Sequence, residues 1–170
     1  MKIRLAAPIT KDSIVDGPGI RAVIWTQGCP HRCKGCHNPQ THSFDAGIEA
    51  DVNDIIAQIS RLKLHKGITF SGGEPLEQAA ACSEIAKRVK EMGMNTWLYT
   101  GYIFEDILSE CQATRPEWGE LIKYIDVMVD GPFIEQMKNL LLKFRGSENQ
   151  RVIDVQKSLI EGKIILIEDT

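Results

Sequence analysis

The sequence predicts an α/β fold built on a parallel sheet, and two observations carry that prediction. Four short runs rich in β-branched or aromatic residues, 21–26, 67–70, 95–99 and 125–129, alternate with stretches of helical periodicity. Strands separated by helical crossovers must run parallel, because a short hairpin cannot return the chain in the same direction. The sheet is either open or curled into part of a barrel, with helices on its outer face.

Taken in order, the first strand runs into Gln27, Gly28 and Cys29. An amphipathic helix follows, with Val52, Ile55, Ile56, Ile59 and Leu62 on one face and Asp51 as its N-cap. The second strand ends in Ser71-Gly72-Gly73-Glu74-Pro75. In the helix after it, Cys82, Ile85, Val89 and Met92 recur at helical spacing, Pro75 suits the first turn and Gly93 the C-cap. Tyr99-Thr100-Gly101-Tyr102 closes the third strand, and Asp130-Gly131-Pro132 the fourth. Residues 138–149 form the most polar stretch and read as a surface loop. Residues 164–167 suit an edge strand, while 162–170 carry no recognisable role.

A chain of 170 residues with 43% apolar residues can bury roughly 70% of its unfolded surface in one domain. That domain spans 1–170, with a core of about 14–154. A net charge of −3 without a long Lys/Arg block argues against nucleic acid or a membrane as partner. Residues 1–8 lack the apolar core of a secretory signal, and no run approaches the roughly 18 apolar residues of a membrane span. Five cysteines, an odd number with three clustered, fit a reducing, cytoplasmic setting better than a disulfide framework.

The clustered cysteines are Cys29, Cys33 and Cys36, spaced CxxxCxxC in one loop. Cubane iron-sulfur clusters normally take four thiolates, so three in a tight loop reserve one iron for another ligand. The same thiolates with His31 or His37 could instead close a structural Cys3His zinc site. Cys82 and Cys111 follow helical spacing and read as buried apolar residues, not as a fourth ligand. Parallel β/α sheets place ligand sites at the carboxyl ends of their strands, and the Gly-rich turns gather at the same edge as the cysteines. Trp25 and Trp97, inside strands, read as core.

The CxxxCxxC loop after one strand and Gly72-Gly73-Glu74-Pro75 after the next resemble the radical S-adenosylmethionine superfamily. Further strings narrow the resemblance: Val15-Asp16-Gly17-Pro18-Gly19-Ile20-Arg21, Tyr99-Thr100-Gly101-Tyr102, Val129-Asp130-Gly131-Pro132-Phe133, and Phe144-Arg145-Gly146-Ser147-Glu148-Asn149-Gln150-Arg151. From about 14 to 154 the chain is similar to the glycyl-radical activating branch whose partner is an anaerobic ribonucleoside-triphosphate reductase.

The resemblance implies a sheet curled into a partial (β/α) barrel, a 4Fe-4S cluster on Cys29, Cys33 and Cys36, and S-adenosylmethionine at the remaining iron. It implies reductive cleavage of that cofactor to methionine and a 5'-deoxyadenosyl radical, which takes hydrogen from a glycine of the partner. The implied cofactor contacts are Gly35, Cys36, His37, Gly72 and Gly73. Gly35 stands where the wider superfamily usually has an aromatic residue, and His37 can supply a ring to the adenine.

Glu74 suits either the ammonium of the cofactor or a helix N-terminus. Asp130 ends an apolar strand and by resemblance lies near the cofactor and a monovalent cation, although an Asp-Gly-Pro turn also explains it. His31, Arg32 and Lys34 make the loop basic, suiting an acidic electron donor such as flavodoxin. Arg145 and Arg151 flank a segment expected to help hold the reductase. Two alternatives stand beside this reading: an activator of another glycyl-radical enzyme such as formate acetyltransferase, and a zinc-stabilised binding module without catalysis.

Overall fold

The computed structural model describes residues 1–168. Eight strands form one mixed sheet: β1 (Lys2–Leu5), β2 (Thr10–Ser13), β3 (Arg21–Thr26), β4 (Ile48–Asp51), β5 (Gly67–Gly72), β6 (Asn95–Tyr99), β7 (Val127–Asp130) and β8 (Arg151–Asp154). The path runs β4-β1-β3-β5-β6-β7-β8, with β2 paired to β3 off this line. Its centre, β3-β5-β6-β7, is parallel. The flanks β1, β2, β4 and β8 pair antiparallel, which corrects the expectation of a parallel sheet throughout.

The flanking strands have four residues each, and they carry charged residues. Such strands lack the apolar run that marks a strand buried on both faces. β8 returns antiparallel because residues 131–150 fold back without a crossover α-helix, supplying only the 3-10 turn Glu135–Met137. Beyond it, Ile153 bridges Leu166 antiparallel, the trace of the edge strand expected at 164–167.

The helices are α1 (Val52–Ser60), α2 (Ala79–Glu91), α3 (Phe104–Ala113), α4 (Pro116–Ile122) and α5 (Val155–Glu161). Asp51 caps α1, its carboxylate accepting the Asn53 amide at 2.8 Å. The stretch from Pro75 is a 3-10 turn (Pro75–Gln78) before α2 begins. Gly93 follows at φ +82°, where a Cβ would strain the chain.

Register explains where the core sits. Ile24, Phe70, Leu98, Met128 and Ile153 are cross-strand neighbours, all fully buried in one cluster with Ile55, Ile59, Ile85 and Ile107 of the helices. The alternating residues Val23, Trp25, Thr69, Ser71, Trp97 and Tyr99 therefore look the other way. That second face is covered by loops: Asp16 O accepts the Thr69 hydroxyl at 2.7 Å, and Phe144 packs edge-on against Trp97 at 5.3 Å.

Candidate functional site

The carboxyl ends of β3 and β5 are stapled by backbone. Gly73 N–H donates to Thr26 O at 2.7 Å and Glu74 N–H to Gly28 O at 2.9 Å, while Gly28 N–H reaches Thr41 O at 2.8 Å. The glycine pair permits this closeness. A Cβ on Gly73 would lie 2.4 Å from Gly28 O, and one on Gly72, at φ +95°, would lie 2.6 Å from Thr26 backbone atoms. The amide of Gly73 is thus bonded within the protein, and the pair serves first to lock the Gly-Gly-Glu-Pro turn onto the cysteine loop.

Cys29 is buried, whereas Cys33 and Cys36 are partly exposed, and all three are free thiols. Together with His31, His42 and Gly73 they line a cavity of about 120 Å³. Burial, chiefly, raises the Cys29 thiol above its ordinary pKa, against the lowering effect of the His31 backbone. The loop turns back by Cys36 N–H to Cys33 O, 3.2 Å, with Arg32 at φ +50° and Gly35 at φ +75°. Asn38 N–H approaches Cys36 Sγ at 3.4 Å, an N–H···S contact of the kind that supports a thiolate ligand. Cys82 is fully buried and Cys111 packs against the core, as their helical spacing predicts.

The donor set fits an iron-sulfur group. Three thiols share one cavity, one sulfur already receives an amide, and His42 Nε2, buried in the same wall, has no hydrogen-bond partner among the described residues.

Glu74 sits at the centre of the rim and is 1% exposed. Its Oε1 accepts Leu76 N–H at 3.1 Å, capping the Pro75–Gln78 turn. Its Oε2 accepts the Thr100 hydroxyl at 3.0 Å and Gly101 N–H at 2.9 Å, and lies 2.8 Å from His31 Nε2. One carboxylate therefore ties the cysteine loop, the Gly-Gly turn and the Thr-Gly-Tyr turn together. The helix-terminal role is met directly.

Asp130 is equally engaged. It is 1% exposed, accepts Phe104 N–H at 2.9 Å, and receives Arg151 Nε at 3.0 Å and Nη2 at 2.5 Å. Arg151 also reaches Glu105 at 2.6 Å, so this arginine bridges two carboxylates of its own chain. Arg145 Nη1 donates to Gln150 O at 2.6 Å. Gly131, next to Asp130, lines the cavity.

A second cavity of about 490 Å³ adjoins the first, sharing Cys36, Ser71, Tyr99, Phe133 and Gln150, and extends over the loop-covered face to Trp25 and Phe144. His37 stands at its edge, its ring tilted against Phe133 at 5.3 Å. Trp25 is thus a wall of the cleft, with Nε1 donating to Thr10 Oγ1 at 2.8 Å, instead of core. Trp97 is 5% exposed and meets expectation.

Beneath the cleft lies Arg21, fully buried. It donates to Thr69 Oγ1 at 2.9 Å, Ile68 O at 2.7 Å and Pro18 O at 3.2 Å, with its guanidinium 5.6 Å from the Trp97 ring. Burial lowers its pKa to about 10, against the opposing fields of Tyr99, Asp126 and Asp16.

Sequence reading does not single out His42, Ser71, Tyr99, Phe133 or Gln150 as site residues. The last three lie within strings flagged by resemblance. Gln150 shows why function is hard to read from a string: its Oε1 accepts Gly146 and Ser147 amides at 2.9 and 3.1 Å while Nε2 reaches Gly131 O at 3.1 Å. It pins the 146–150 loop against the end of β7.

Comparison with known proteins decides the family. Residues 15–153 match the family described as a 4Fe-4S single cluster domain. A Vibrio cholerae protein is 37% identical over 145 residues, covering 81% of this chain and 89% of its own length. It is named anaerobic ribonucleoside-triphosphate reductase-activating protein. This chain belongs to that family.

Relatives with the same name in Haemophilus influenzae, at 34% identity, and bacteriophage T4, at 35%, each cover 81% of this chain. The solved structure of QueE from Escherichia coli overlaps 59% of this chain and 52% of its own, at 17% identity and a TM-score of 0.48, a likeness too slight to carry an argument. Among the described residues no helix is long and apolar enough to cross a membrane.

Proposed function

We propose that this protein activates an anaerobic ribonucleoside-triphosphate reductase, with Cys29, Cys33 and Cys36 holding a single 4Fe-4S cluster and S-adenosylmethionine completing its open iron. When bound, the reduced cluster would supply one electron to a carbon–sulfur bond of S-adenosylmethionine, giving methionine and a 5'-deoxyadenosyl radical that takes a hydrogen atom from a partner glycine.

The protein's own residues hold, orient and shield. Cys29 fixes the buried end of the loop through its amide, which donates to His42 O at 3.1 Å. The carbonyl side of Gly72-Gly73 takes the cofactor's ammonium, and the His37–Phe133 ring pair with Gly35 frames the adenine. Glu74 orders three turns at once and acts as a positioning residue, since its oxygens are already hydrogen-bonded within the protein. Asp130 acts likewise, its carboxylate held by Arg151 and the Phe104 amide, and a monovalent cation there would share the carboxylate with them. Arg32 and Lys34, both exposed, present positive charge to an acidic electron donor such as flavodoxin. The loop-covered face of the sheet is the inner wall of a partial barrel, where exclusion of water protects a radical.

The observation that carries this reading is the backbone stapling of the three-cysteine loop to the Gly-Gly-Glu-Pro turn at the mouth of the cleft. Anaerobically reconstituted protein, reduced and given S-adenosylmethionine with the reductase, should produce a glycyl radical signal by electron paramagnetic resonance. Formate acetyltransferase in place of the reductase should give none. A colourless protein that retains zinc after iron and sulfide loading would refute the proposal.

A further inference from the structure

Among the residues that line the cysteine cavity is a histidine with a ring nitrogen that the protein itself does not satisfy. His42 Nε2 is shielded from solvent and makes no hydrogen bond among the described residues. Leaving a buried polar atom unpaired is costly, so native structures rarely keep one without a role. The position of the residue is tightly set: its amide donates to Pro39 O at 3.2 Å, and its carbonyl accepts the Cys29 amide at 3.1 Å. Neighbouring Thr41, buried, donates its hydroxyl to Asn38 O at 2.6 Å. The same turn therefore places Asn38 N–H against Cys36 Sγ and His42 among the residues that line the cysteine cavity.

We infer that His42 sets the reduction potential of the cluster, its Nε2–H donating a hydrogen bond to a cluster sulfur. This rests on the reading that Cys29, Cys33 and Cys36 hold that cluster. Reduction adds electron density to sulfur, so an N–H donor stabilises the reduced state more than the oxidised one and raises the potential. His42 Nε2 is itself shielded from water, which strengthens a hydrogen bond it makes. His42 is a positioning residue in this role. It acts on how readily the electron arrives.

The test compares redox titrations of reconstituted wild-type protein with His42→Phe, which keeps a ring without the N–H, and His42→Gln, which keeps an N–H donor. At an ambient potential near the wild-type midpoint, the ratio of reduced to oxidised cluster should fall about tenfold in His42→Phe, equivalent to ~59 mV for one electron. His42→Gln should remain within about twofold of wild type. Iron and sulfide content separates the two layers of the claim. Failure of wild-type protein to assemble a cluster overturns the underlying reading, whereas normal assembly with an unchanged His42→Phe potential overturns only the role of His42. His42→Ala provides the same comparison where the phenylalanine prevents folding. Loss of iron in both, with an unchanged melting temperature, would make His42 an assembly residue and defeat the tuning role.

Discussion

Ile24, Phe70, Leu98 and Met128 cross four parallel strands on one face of the sheet, all fully buried beneath helices. One residue further along each strand, Trp25, Ser71, Tyr99 and Val129 look toward a cleft roofed by loops. The two faces share a backbone and differ in what covers them. Apolar residues dominate the helix-covered face, which holds the domain together by burial. The loop-covered face mixes aromatic rings, hydroxyls and the buried Arg21, with Trp25, Thr69 and Arg21 each hydrogen-bonded to a specific partner, and it opens onto the cysteines. Stability and chemistry are divided between two sides of a layer one residue thick.

Substitutions should separate these two sides. The largest effect belongs to the cleft: Cys33→Ala should abolish cluster retention, measured as iron content, and methionine release, with the melting temperature of the metal-free protein nearly unchanged because the side chain is only partly buried. Phe70→Ala, on the covered face, should do the reverse, removing roughly 3–5 kcal/mol of stability in a denaturant titration while leaving the folded fraction able to take up iron. Glu74→Ala lies where the two sides meet. It strips a buried acceptor from His31, Thr100, Gly101 and Leu76, so both readouts should fall, with a stability loss of about 2–4 kcal/mol, and Glu74→Gln should recover part of each.

The smallest effect concerns the ion pair at the rim. Hydrogen bonding from Arg151 holds the Glu105 carboxyl below its ordinary pKa. Its contribution is complete above the unfolded-state value of about 4.3 and is lost as pH falls through the lower folded value. The carboxylate is largely exposed, its side chain 56% accessible, so Glu105→Gln should cost under about 1 kcal/mol at pH 7. Melting curves from pH 6 down to pH 3 should show that difference shrinking.

Legibility in the sequence follows the same division. Periodicity locates β3 and β6, and α1 with its Asp51 cap, because a face packed against helices repeats its apolar residues at the period of the element. Spacing alone brings Cys29, Cys33 and Cys36 into one loop. Only tertiary structure decides that Trp25 walls a cleft while Trp97 is buried beneath Phe144, since both are aromatic residues on one face of the sheet, on strands separated by β5. Only tertiary structure turns Arg151 onto Asp130 and makes Glu74 a junction of three turns. Those assignments depend on partners 21 to 43 residues away in the chain. Local composition fixes what a residue can do, while long-range packing fixes which partner it meets and hence which capacity is used.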